Sequence, residues 1–214
     1  MRELRTAVME RIAFEVGPDF LSRLEEKLSA AFKASNDYSR GWYEPSQQAG
    51  ARGKMQKEHI STEIYRAALE SGLNADMPKT VPSGYCFTKI TLPSFIMGGT
   101  RVESKHWKNA NYAKVMGRLN DKLDPLMPDL FRTERHDLTE EKIFLVVAVA
   151  ENQLKNNQPE IHFVVPYSSL EGYHFKLSLE EVRQAAQQPA TEPMSPVVVL
   201  KKRLDEAERG TKEA

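Results

Sequence analysis

The chain of 214 residues contains one cysteine, Cys86. A lone thiol closes no intrachain disulfide, so no disulfide framework is expected, and a reducing, cytoplasmic setting follows as an expectation. In a stretch of strand character Cys86 is expected to serve as a small hydrophobe. Long apolar runs are missing as well. The longest, Ile143–Ala150, has the length of a strand and falls far short of a bilayer span. The opening Met1-Arg2-Glu3-Leu4-Arg5 leads into an amphipathic pattern without an apolar signal region, so neither secretion nor a membrane partner is expected. The five histidines (His59, His106, His136, His162, His174) show no zinc spacing, and no G-x-S-x-G or G-x-G-x-x-G string occurs. Gly50-Ala51-Arg52-Gly53-Lys54 is glycine-rich and basic, but Met55 stands where a phosphate-binding Walker loop requires Ser or Thr.

Net charge is the last absence, since 30 Lys/Arg balance 30 Asp/Glu. The distribution is lopsided all the same. Residues 79–118 hold seven Lys/Arg (Lys79, Lys89, Arg101, Lys105, Lys108, Lys114, Arg118) against Glu103 alone, whereas residues 119–181 hold six against twelve acids. A basic middle and an acidic flank point to a surface that meets an anion.

The hydrophobic periods give an α+β, or mixed α/β, fold. Leu4, Val8, Ile12 and Val16 recur every four residues, and Phe20, Leu21, Leu24, Leu28 and Phe32 form a second stripe beyond Gly17-Pro18-Asp19. This predicts a helical hairpin appendage over 1–36. Residues 37–56 hold glycines, a proline and few apolar positions, which predicts a long loop. A core domain is expected over 57–187, with a mixed sheet of about five strands flanked by helices. In it, Ile60, Ile64 and Ala68 mark a third helix. Tyr85–Leu92 and Phe95–Glu103 have strand character. Trp107–Lys122 has helical spacing, with Tyr112, Val115, Met116, Leu119 and Leu123 inward. Lys142–Glu151 is the expected central strand, Glu160–Tyr167 its hairpin partner, and Gly172–Leu177 another short strand. Ser178-Leu179-Glu180-Glu181 carries a capping-box signature for a last helix. Residues 188–214 are expected to be linker and tail.

Arg101, Lys105, Lys108, Lys114 and Arg118 are the expected phosphate contacts, joined by Arg52 and Lys54, with Arg40, Trp42 and Lys57 close in sequence. Lysine and arginine neutralise phosphates, and helix N-termini donate N–H groups to them. Trp107 and Tyr112 stand among these cations, either to stack on bases or to anchor a core. The expected partner is nucleic acid, DNA first.

Arg101-Val102-Glu103-Ser104-Lys105 at a strand end, followed by a helix and an apolar strand, resembles the core of the PD-(D/E)xK nuclease superfamily over residues 56–150. The resemblance implies Glu103 and Lys105 as catalytic residues, and Mg²⁺ held by Glu103 with a second acid. Lys79 to Arg101 contains no acid, so Asp76 upstream, or Glu58 or Glu63 on the third helix, is left to serve. Without catalysis no cofactor is expected, and a third reading is an interaction module or homodimer docking through the apolar faces of the N-terminal hairpin and the Val197–Leu200 tail.

Overall fold

The computed structural model describes residues 2–80, 86–101, 108, 110–126, 142–152 and 158–187. Four helices and a six-stranded mixed sheet make an α+β fold. The elements are α1 (Arg2–Trp42), α2 (Pro45–Glu70), β1 (Ala75–Asp76), β2 (Lys89–Thr91), β3 (Phe95–Arg101), α3 (Asn111–Gly117), a 3-10 segment (Arg118–Leu126), β4 (Ile143–Asn152), β5 (Gln158–Pro166), β6 (Tyr173–Ser178) and α4 (Leu179–Ala186).

Strands lie in the sheet in chain order. Every neighbouring pair is antiparallel except β3 and β4. Parallel strands need a crossover, and α3 with the 3-10 segment supplies it. β4 alternates between two cores. Ile143, Leu145, Val147 and Val149 join the large cluster formed with α1, α2 and α4, while Phe144, Val146 and Ala148 face α3. Burial on both faces accounts for its unbroken apolar run.

Gly17 divides α1, with φ 71° inside an otherwise helical run, a conformation that a side chain makes costly. Pro18 then restarts the helix. The hairpin expected as an appendage shares one core with the sheet: Leu4, Ile12, Phe20, Leu24 and Phe32 pack in the same cluster as Phe95, Val147 and Phe163.

The loop expected over 37–56 is a correction. The described structure is helical to Trp42 and again from Pro45, leaving Tyr43–Glu44 between the helices. The seam there is polar. Ser35, Ser39 and Gln56 are fully buried, so no hydrophobic stripe announces it. Each serine hydroxyl is satisfied within its own helix, Ser35 on Ala31 O at 2.8 Å and Ser39 on Asn36 O at 2.9 Å.

Three smaller differences follow. β1 adds a strand too short to leave a period. The helix expected over 107–122 is α3 followed by the 3-10 segment. Val115 is 59% exposed on the same side as Asn111, Lys114 and Arg118, whereas Tyr112, Met116 and Leu119 face inward as expected. The capping box is present in both halves: Glu181 N–H donates to the Ser178 hydroxyl, and Ser178 N–H donates to the Glu181 carboxylate. No helix among the described residues is long and apolar enough to cross a membrane.

Candidate nucleic-acid interface

β3 and β4 run side by side and end together. Arg101 closes β3 in register with Val149, and Glu151 lies two residues further along β4 on the same face. α2 passes over this end. Gly53 abuts Arg101, and a Cβ at position 53 would stand 2.5 Å from the guanidinium Nη1. The missing side chain therefore makes room for the arginine.

Arg52, one residue earlier, places Nε 2.9 Å from one Glu151 oxygen, and Arg101 Nη2 stands 3.8 Å from the other. Gln56 Nε2 donates to the same carboxylate at 3.4 Å. The Glu151 side chain is 6% exposed, Arg52 22% and Arg101 17%. Two guanidiniums are thus brought from separate elements onto one nearly buried carboxylate. Such a cluster is costly to break, because loss of one partner leaves buried charge behind. Arginine forks also match the geometry of phosphate oxygens.

The remaining expected phosphate contacts do not all join this cluster. Lys54 is exposed on α2, two residues before Gln56 and so nearly opposite it around the helix. Lys114 and Arg118 are exposed on the α3 side of the sheet, the opposite layer from α2, and Lys108 is exposed. The basic segment therefore divides between two faces. Lys105 lies outside the described residues, as do Glu103, His106 and Trp107. Tyr112 is a core anchor: its ring stacks on Phe87 at 4.0 Å and 12°, and burial raises its hydroxyl pKa.

Asp76 is exposed on β1, opposite Lys89, which in turn pairs with Gly98. It stands two strands from β3 and three residues short of Arg101 in register, about 10 Å away in each direction. Glu58 is exposed and Glu63 pairs with Arg66 at 2.8 Å. Among the described residues no three His, Cys, Asp or Glu side chains converge on a metal position.

Two further polar clusters sit at the opposite end of the sheet. Asn120 donates to Phe144 O at 3.0 Å and Pro166 O at 2.8 Å, and accepts from Phe144 N–H at 2.8 Å. Asp124 accepts from His174 Nε2 at 2.8 Å and from the Ser168 hydroxyl and N–H. Burial works against ionisation of Asp124, yet the bonds from His174 and Ser168 outweigh it and lower its pKa. The Ser168 hydroxyl donates to the carboxylate and not to an imidazole. His162 faces Ser178, while His174 turns to Asp124. Burial, with Lys176 nearby, lowers the His162 pKa.

Glu151 and Gln56 were not legible as site residues. The signal that stands in the sequence is Glu151 itself, the first charge after eight apolar residues of β4. No family model, no curated protein and no solved structure matches the chain.

Proposed function

We propose that the protein binds nucleic acid at the end of the sheet where β3 and β4 finish, in a cytoplasmic setting. The observation that carries this reading is the convergence of Arg52 and Arg101 on Glu151 beneath α2. Held by one carboxylate, the two guanidiniums form a fixed cationic floor. Lys54 and Lys57, exposed on the same helix, add positive charge around it. Phosphate contact of this kind is independent of base sequence and falls steeply with salt. DNA is the first ligand to try.

The test is a titration of labelled duplex and single-stranded DNA at about 50 and about 200 mM salt. The charge reversal Arg40→Glu/Lys54→Glu removes exposed cations without touching the buried cluster. Binding weakened alike across sequences, with a salt slope reduced by roughly one unit per lost contact, is the expected result. Unchanged affinity in that variant sinks the reading.

A metal-dependent nuclease is the second reading. One observation favours it: β3, the α3 crossover and a parallel β4 follow one another in the order the resemblance requires, and Glu103-Ser104-Lys105 follows β3 directly in sequence. It requires Mg²⁺- or Mn²⁺-dependent shortening of the labelled DNA that is lost in Glu103→Gln.

A further inference from the structure

Seven large hydrophobic side chains are exposed among the described residues, and three of them meet at one point. Tyr38 and Trp42 close α1, and Tyr43 follows in the connection to α2. Trp42 is 76% exposed, Tyr38 45% and Tyr43 40%. The ring centres of Trp42 and Tyr43 lie 6.1 and 6.3 Å from that of Tyr38. The other four (Phe14, Leu69, Val115, Tyr173) belong to separate elements, and scattered single residues need no explanation. A cluster does, because leaving a large side chain in water forgoes about 2 kcal/mol of burial.

The surroundings narrow the occupant. Residues 33–57 carry five Lys/Arg (Lys33, Arg40, Arg52, Lys54, Lys57) and two acids, Asp37 and Glu44. Protein–protein interfaces are depleted in lysine, whereas surfaces for unpaired nucleotides combine cations with exposed rings. The position fits as well. Pro45 opens α2 and Gly53 touches Arg101, so the rings stand about 12 Å beyond the arginine cluster by helical rise. That span is about four nucleotides at the spacing of a stacked strand. Every base offers a π-face whatever its identity, so stacking here asks for unpaired bases and no particular sequence.

We propose that Tyr38, Trp42 and Tyr43 form a stacking platform for unpaired bases, so that the preferred ligand is single-stranded nucleic acid with its backbone running toward Arg52 and Arg101. The proposal rests on the nucleic-acid reading above and adds the class of ligand to it.

The probes are an oligothymidylate of about 20 nucleotides, longer than one binding site, and a duplex of equal length. Trp42→Ala removes a side chain that supports no core, and circular dichroism confirms that the variant folds. The expected result is an affinity for oligothymidylate about tenfold lower in Trp42→Ala, largely retained in Trp42→Phe, with duplex affinity and salt slope nearly unchanged. The chain has two tryptophans, so Trp107→Phe leaves Trp42 the sole indole, and oligothymidylate is expected to quench its fluorescence. Equal loss for both probes, or no loss for either, overturns the platform while leaving the phosphate reading intact. Wild-type protein that binds neither probe at low salt defeats both readings. A concentration-dependent dimer that is abolished in Trp42→Ala then assigns the rings to a second copy of the chain.

Discussion

The two ends of the sheet are built from similar polar residues to different effect. At the end where β3 and β4 begin, polar side chains are spent on backbone. Asn120 fastens the 3-10 segment to Phe144 and Pro166, Asp124 holds the β5–β6 turn through Ser168, and Glu15 receives the Ser94 N–H at 3.0 Å while pairing with Arg11 at 2.5 Å. At the other end, charge is gathered on charge: Arg52 and Arg101 on Glu151, with exposed rings and lysines beyond. Backbone groups at one end are satisfied by neutral amides and carboxylates, which stabilises the fold. Charges gathered in a nearly buried cluster at the other repay little of their desolvation cost in net stability, and that contrast is the physical ground for placing the ligand there.

The strongest way to break the contrast is Asn120→Ala. It strands one N–H and two carbonyls in the core, and a stability loss of about 3 kcal/mol is expected in urea unfolding. Oligonucleotide binding by the folded fraction is expected to keep its salt slope. If the slope changes, the two ends are coupled and the division fails.

Glu151→Gln acts at the other end. It keeps the shape and removes the charge that holds two guanidiniums, so a loss of about 2 kcal/mol is expected. Affinity for oligonucleotide at low salt is expected to rise, because the floor gains net positive charge. Loss of stability with no gain in affinity would make this cluster structural, like those at the opposite end.

Acid sharpens the comparison further. The Ser178 N–H, with Arg5 beside it, lowers the Glu181 pKa from 4.5 to about 2. A carboxylate lowered on folding contributes stability that is complete above its unfolded pKa and is lost as pH falls toward the folded value. Between about pH 4.5 and 2, wild type is therefore expected to lose stability more steeply than Glu181→Gln. Parallel curves would show that the cap bond does not form in solution. The smallest effect is expected from Lys114→Glu/Arg118→Glu on the outer face of α3. Stability is expected to stay within about 0.5 kcal/mol, with oligonucleotide affinity falling less than in Arg40→Glu/Lys54→Glu. A larger fall would return the interface to α3.

Most of the sheet was legible because the unbroken apolar run of β4 and the alternation of β5 survive whatever packs against them. The capping box was legible for the same reason, since Ser178 and Glu181 act within one helical turn. The helices around residues 37–56 were not. Their seam uses buried Ser35, Ser39 and Gln56, residue types that a period search discards. Val115 was misplaced because α3 is short and gives way to a tighter helix, so the spacing that fixes its face does not persist. The candidate site was half legible. Arg52 and Arg101 stand out as cations, but nothing local ties them to Glu151.

The sequence by itself determined the α+β class, the break at Gly17, the central strand and the last helix cap, because each depends on neighbours within a few residues. Only the tertiary structure decided which charges meet. Parallel pairing of β3 with β4 aligns Arg101 and Glu151, and a glycine on α2 admits the guanidinium beneath it. Contacts between residues 99 and 50 positions apart carry no trace in local spacing, so the division of the basic segment between two faces had to be seen in three dimensions.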